Sequence, residues 1–193
     1  MALQREHWIS LEEYHEIERT SEIKYEYIDG RIYAMSGGTT DHATIAGNMF
    51  AALKAHLRGK TCKAFNSDAK VQPSEGENPS YYPDVTVTCN PEDYQRGSTA
   101  LRSPRLIVEV LSPSTEYKDR GRKRRDYQAC PSLEEYVIIS TRYQEVEILH
   151  RQGTFWEYKQ FLAGEEVELV SVDLKIPISS IYEDTDIPEQ DGI

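Results

Sequence analysis

The sequence predicts a mixed α/β protein: a β-sheet with helices packed on it and additional β-hairpins at both ends. Three observations carry this. From His42 to Leu57 the apolar residues Ile45, Met49, Leu53 and Leu57 recur at helical spacing. Tyr81 to Cys89 and Arg105 to Leu111 are short apolar runs bounded by Pro, Gly and Ser, as strands are. Tyr117 to Cys130 then reads as a helix ended by Pro131, followed by the β-rich run Glu135 to Ser140.

The remaining elements follow in chain order. Ser10 is a helix-start residue with Glu12 and Glu13 behind it, and Leu11, Tyr14 and Ile17 share one helical face. Glu26 to Met35 is a hairpin about the Asp29-Gly30 turn. Gly37 to Asp41 is a loop ending in capping residues, and Gly59 stops the helix that follows. Thr61 to Val71 holds one or two strands, and Pro73 to Ser80 is expected to be a mobile polar loop. Ser112-Pro113 ends the Arg105 strand. Glu145 to His150 is a further strand, and Gln152-Gly153 turns the chain into Phe155 to Lys159. One domain over residues 1–182 is expected, with the acidic segment 183–193 as a disordered tail.

The 193 residues suit one domain with a real core, with 38% apolar and 28% charged residues. No apolar run is long enough for a membrane span, and Met1 to Ser10 lacks an apolar signal core, so a cytoplasmic location is expected. Cys62, Cys89 and Cys130 are odd in number and form no CxxC pair, which predicts reduced thiols and no zinc site. The net charge of −11 argues against a general nucleic-acid binder. Lys118 to Arg125 is nevertheless strongly basic, so a local cationic patch can sit on an acidic body.

Glu109 lies mid-strand, sharing a face with Ile107 and Leu111, where a carboxylate is expensive unless paired or metal-bound. Pro83 places Asp84 at the start of its strand. On neighbouring strands, Asp84 and Glu109 would meet at one end of the sheet. Two carboxylates with water positions to spare suit Mg2+ or Mn2+, and such an ion can activate a water against a phosphodiester. Asp119, Lys123 and Tyr127 share a helix face, so Lys123 can reach toward that strand with Asp119 orienting it. Arginines near Lys123, among them Arg120 and Arg124, would hold phosphates. The competing readings are an edge-strand Glu109, a strand-entry Asp84 and a solvated basic helix.

Pro83-Asp84 followed by Glu109-Val110-Leu111 resembles the PD-(D/E)XK nuclease superfamily. Leu111 stands where that motif has lysine. The wider set resembles a large bacterial family of proposed restriction endonucleases of the Uma type. It comprises Glu26 to Gly30, His42, Glu109 to Thr115, Asp119 to Lys123, Tyr127 and Pro131 to Tyr136, and the resemblance spans most of residues 8–182. It implies a restriction-endonuclease-like fold in which the lysine has migrated to the following helix, at Lys123. Asp84, Glu109 and Lys123 would be catalytic. Asp84 and Glu109, joined by Glu26, would hold Mg2+ or Mn2+, and His42 would lie on the nucleic acid. The expected partners are DNA and a second copy, since a two-fold sets two sites against two strands. No nucleotide cofactor and no membrane are expected. One alternative is a catalytically weak nuclease-fold module that binds nucleic acid or regulates. Another is a partner-binding protein whose basic helix meets the acidic surface of a second copy.

Overall fold

The computed structural model describes residues 8–35, 37–74 and 78–189. Its centre is a six-stranded sheet built from β3 (Lys63–Asn66), β4 (Val85–Thr88), β5 (Pro104–Val110), β6 (Glu135–Ile139), β7 (Glu145–Gln152) and β8 (Phe155–Leu162), in that spatial order. All neighbours are antiparallel except β5 and β6. A parallel pair needs a crossover. Here it consists of α3 (Glu116–Lys118), a π-helical turn (Asp119–Lys123) and α4 (Arg124–Ala129). The predicted Tyr117 to Cys130 helix is therefore present, with a π turn at its centre.

The expected hairpins flank this sheet. β1 (Tyr25–Ile28) and β2 (Arg31–Ala34) pair about Asp29-Gly30, both at positive φ (47° and 75°), the backbone that an Asp-Gly hairpin turn requires. β9 (Glu166–Leu169) pairs with β10 (Leu174–Pro177) near the other end of the chain. α1 (Leu11–Thr20) opens on a capping box, in which Ser10 Oγ accepts from Glu13 N–H and the Glu13 carboxylate accepts from Ser10 N–H. α2 (Thr40–His56) is capped by Thr39, whose hydroxyl accepts from His42 N–H.

Strand alternation gives the sheet two apolar faces. Leu106, Val108 and Val110 of β5 join Val85 and Val87 under Ile45, Met49 and Leu53 of α2. Ile107 and Leu111 face the other way, into a cluster with Tyr127, Leu133, Tyr136 and Ile138 beneath the crossover. Glu109 is on this second face. The departure at Leu111 thus has a packing role: it is 4% exposed and fills the apolar layer.

Two expectations are corrected. Cys62 and Cys89 are joined in a disulfide, and only Cys130 is a free, buried thiol. The pairing of Lys63 with Thr88 sets the cysteines opposite each other at the end of the β3–β4 ladder. The acidic segment is also ordered over residues 183–189. Ile187 is buried in the α2-side core, and Gln144 donates from its backbone to Pro188 O and from its side chain to Ile187 O. Its apolar residue and main chain find partners despite the acidic composition. Residues 75–77 of the predicted mobile loop and 190–193 of the predicted tail lie outside the described residues. No helix among the described residues is long and apolar enough to cross a membrane. α5 (Ile178–Ile181) buries Ile178 and Ile181 against the α2-side core.

Candidate active site

The β4–β5 register decides the geometry. Val85 faces Val108 and Thr86 faces Ile107. Asp84 immediately precedes β4, level with Glu109 on β5, and both line one pocket. Asp84 is held there because its Oδ2 accepts from Val110 N–H at 2.8 Å. His42, in the first turn of α2, brings Nε2 to 3.5 Å from the same Asp84 oxygen. That contact, chiefly its hydrogen bond to Asp84, raises the His42 pKa against the opposing effect of burial.

The crossover sits over Glu109. Lys123 is 5% exposed, and its Nζ lies 2.8 Å from Glu26 Oε1, 3.1 Å from Glu109 Oε1 and 3.3 Å from Asp119 Oδ1. Burial opposes the charge on Lys123. Attraction to Glu109, Glu26 and Asp119 outweighs it, and the amine stays protonated. Glu109 is pushed well above the usual carboxylate range, first by burial and then by Asp119, Asp84 and Glu26, while Lys123 pulls the other way. Asp119 is raised as well, with burial the main cause. Glu26 Oε1 and Asp119 Oδ1 lie within ion-pair range of Lys123 yet lack an aligned hydrogen bond.

Lys123 ends the π turn, in which it and Asp119 are buried. A π turn adds a residue and leaves a carbonyl to be satisfied. Tyr136 on β6 does this, donating from its hydroxyl to Asp119 O at 2.9 Å. The hairpin closes the site from above: Glu26 on β1 meets Lys123, Asp29 in the turn meets Arg122 at 2.6 Å, and the Lys118 amine sits 3.7 Å from the centroid of the Tyr33 ring.

These groups line a pocket of about 360 Å3, with the glycine loop before α2 and Ser112 to Thr115 completing its wall. Four carboxylates, Glu26, Asp84, Glu109 and Asp119, face it against two lysines, Lys118 and Lys123. Among the described residues no three His, Cys, Asp or Glu side chains close around a common point. The Lys123 amine occupies the place where Glu26, Glu109 and Asp119 converge. Asp84 and Glu109 line the same pocket, and carboxylates with positions open to water and substrate are the donor type that a hard cation takes. Glu26 and Glu109 both lie against the Lys123 amine, and Asp84 contacts His42 instead.

The structure gathers Asp84, Glu109, Lys123, Glu26 and His42 into one pocket and leaves Arg120 and Arg124 outside it. Arg120 is tied to Glu116 and, at 2.6 Å, to Glu147 on β7. Arg122 is tied to Asp29 and Asp126. Much of the predicted basic patch is thus internally neutralised. Lys118, passed over in the sequence as one more charge of the run, is the pocket-lining cation that makes no ion pair with the described residues. Its position beside the Ser112 to Thr115 turn was the available signal.

A fold with two acids brought to one pocket by adjacent strands and a lysine brought in by the crossover helix is a nuclease-type scaffold. Residues 11–179 match the family model Uma2, described as "Putative restriction endonuclease", and the chain belongs to that family. The chain is 38% identical over 175 residues to the uncharacterized protein slr1290 of Synechocystis sp., covering 90% of this chain and 91% of that protein. It is 30% identical over 165 residues to the uncharacterized protein sll1609 of the same organism, covering 85% and 93%. In three dimensions it resembles a crystal structure from Anabaena variabilis described as a "putative nuclease belonging to DUF820". That likeness has a TM-score of 0.72 at 18% identity over 90% of this chain and 97% of the other, and it establishes the fold.

Proposed function

We propose that this protein is an endonuclease that hydrolyses phosphodiester bonds of DNA with a divalent cation, Mg2+ or Mn2+, bound between Asp84 and Glu109. The observation that carries this is the excess of carboxylates in one pocket, with Asp84 and Glu109 both in its lining. Burial and the neighbouring acids hold the Glu109 carboxyl well above its usual range, and a divalent cation bound there would favour its charged form. When bound, the ion supplies charge neutralisation at the phosphate and a lowered pKa for the attacking water.

The chain's own residues do the rest. Val110 N–H and His42 fix the Asp84 carboxylate. Lys123 holds Glu109 and, protonated, stabilises negative charge that builds on the phosphoryl oxygens. Lys118 reaches a substrate phosphate at the pocket mouth. A homodimer would set two such pockets against the two strands of a duplex.

The test is cleavage of plasmid and single-stranded DNA with Mg2+, with Mn2+ and with EDTA, for wild type beside Asp84→Asn. Metal-dependent cutting lost in the variant supports the assignment. DNA binding without cutting by the wild type, unchanged in Asp84→Asn, would replace it with the binding-module reading.

A further inference from the structure

A second cavity, of about 640 Å3, lies beside the acid pocket, and Tyr82 lines both. Its volume falls in the range of small-molecule sites. Its walls include three aromatic residues, Phe65, Tyr82 and Tyr94. Its cations are already used: Lys70 pairs with Glu18 at 2.6 Å, and Lys24 pairs with Asp68. A cavity without a spare cation is poorly suited to phosphate. Aromatic walls with neutral donors and acceptors at the rim, here Gln95, Ser98 and Thr99, suit a flat polar ring.

The walls are held in place before any ligand arrives. The Tyr82 hydroxyl donates to Glu18 at 2.5 Å, and the Tyr94 hydroxyl donates to Thr61 O at 2.9 Å. Buried Asp93 secures the Tyr94 to Leu101 segment by accepting from the Thr88 hydroxyl and from the backbone N–H groups of Arg102 and Ser103. Tyr82 is also two residues from Asp84. A strand whose phosphodiester lies at the acid pocket can therefore run past Tyr82, which is nearly buried with the Lys24 amine 5.7 Å from its ring centroid, and place a neighbouring base against the more accessible Phe65 or Tyr94.

We propose that this cavity is a nucleobase subsite, which receives an unstacked base of the nucleic-acid strand held at the acid pocket. The proposal rests on the nuclease reading above and refines it: the substrate is single-stranded or locally unpaired at the nucleotide next to the scissile bond.

The test uses thymidine and deoxyadenosine, titrated without metal into 15N-labelled protein and followed by NMR. Shifts confined to the cavity, at residues such as Tyr94 and Ser98, are expected. Affinity should fall about tenfold in Tyr94→Ala, which removes one aromatic wall. Deoxyribose 5-phosphate, which has no base, should leave the cavity unmoved. The proposal is overturned if nucleosides leave these resonances unchanged, if they bind Tyr94→Ala equally well, or if the sugar phosphate competes as effectively as a nucleoside. Nucleoside binding requires no cutting, so its outcome is separate from that of the cleavage test.

Discussion

Lys123→Met removes the one cation shared by Glu26, Glu109 and Asp119, all nearly inaccessible to water. Losing one partner of a buried ion pair typically costs about 3–5 kcal/mol, because the remaining charge keeps its desolvation penalty. For a chain of this length that lowers Tm on the order of 10 °C. The pH dependence follows from the raised carboxyls. Burial already lifts Glu109 and Asp119 above their unfolded values, and losing the amine lifts them further. A carboxyl raised in the folded state disfavours folding once the pH exceeds its unfolded pKa, and that penalty grows until its folded pKa is passed. The deficit of the variant should therefore be large at pH 7.5 and shrink toward pH 5. Thermal unfolding of wild type and variant across that range, with EDTA, measures it. Glu109→Gln is the control: Lys123 keeps Glu26 and Asp119, and the loss should stay near 1 kcal/mol. A Lys123→Met variant within 1 kcal/mol of wild type at pH 7.5, or a deficit that does not change with pH, would refute the reasoning.

Further expectations concern the surroundings of the site. Lys118→Ala should cost about 0.5–1 kcal/mol of stability through the lost contact with Tyr33, weaken DNA binding, and reduce the slope of log affinity against log salt by about 1, read by fluorescence anisotropy. Reduction of the Cys62–Cys89 disulfide, which closes a separation of 27 residues, should lower stability by about 3.5 kcal/mol in the chain-entropy account, measured by denaturant melts with and without dithiothreitol. Truncation after Glu183 removes buried Ile187 and the two carbonyls that Gln144 binds, and should destabilise by about 2 kcal/mol in the same assay.

Local chemistry made the elements legible. Asp-Gly turns, Ser and Thr caps, four-residue apolar spacing and Pro stops each act within a few residues of chain. The hairpin at Asp29-Gly30, the helix behind Thr39, and the strands carrying Asp84 and Glu109 were therefore readable in order. Alternation along β5 also placed Glu109 on one face with Ile107 and Leu111. Whether Asp84 and Glu109 came to one pocket was a matter of pairing between strands distant in sequence, β4 and β5. The burial of Lys123 depended on tertiary packing of the crossover, where the Tyr136 hydroxyl on β6 donates to Asp119 O and Lys123 meets Glu26 and Glu109. Arg120 and Arg122 belonged to the same basic run as Lys123, and tertiary contacts alone sent them to Glu147 and Asp29. Cysteine counting likewise missed the disulfide, because strand register and not number sets Cys62 against Cys89. The sequence by itself determined which elements form and which residues carry charge. The tertiary structure decided which of those charges share a pocket, because pairing across strands and helices is non-local and no spacing along the chain encodes it.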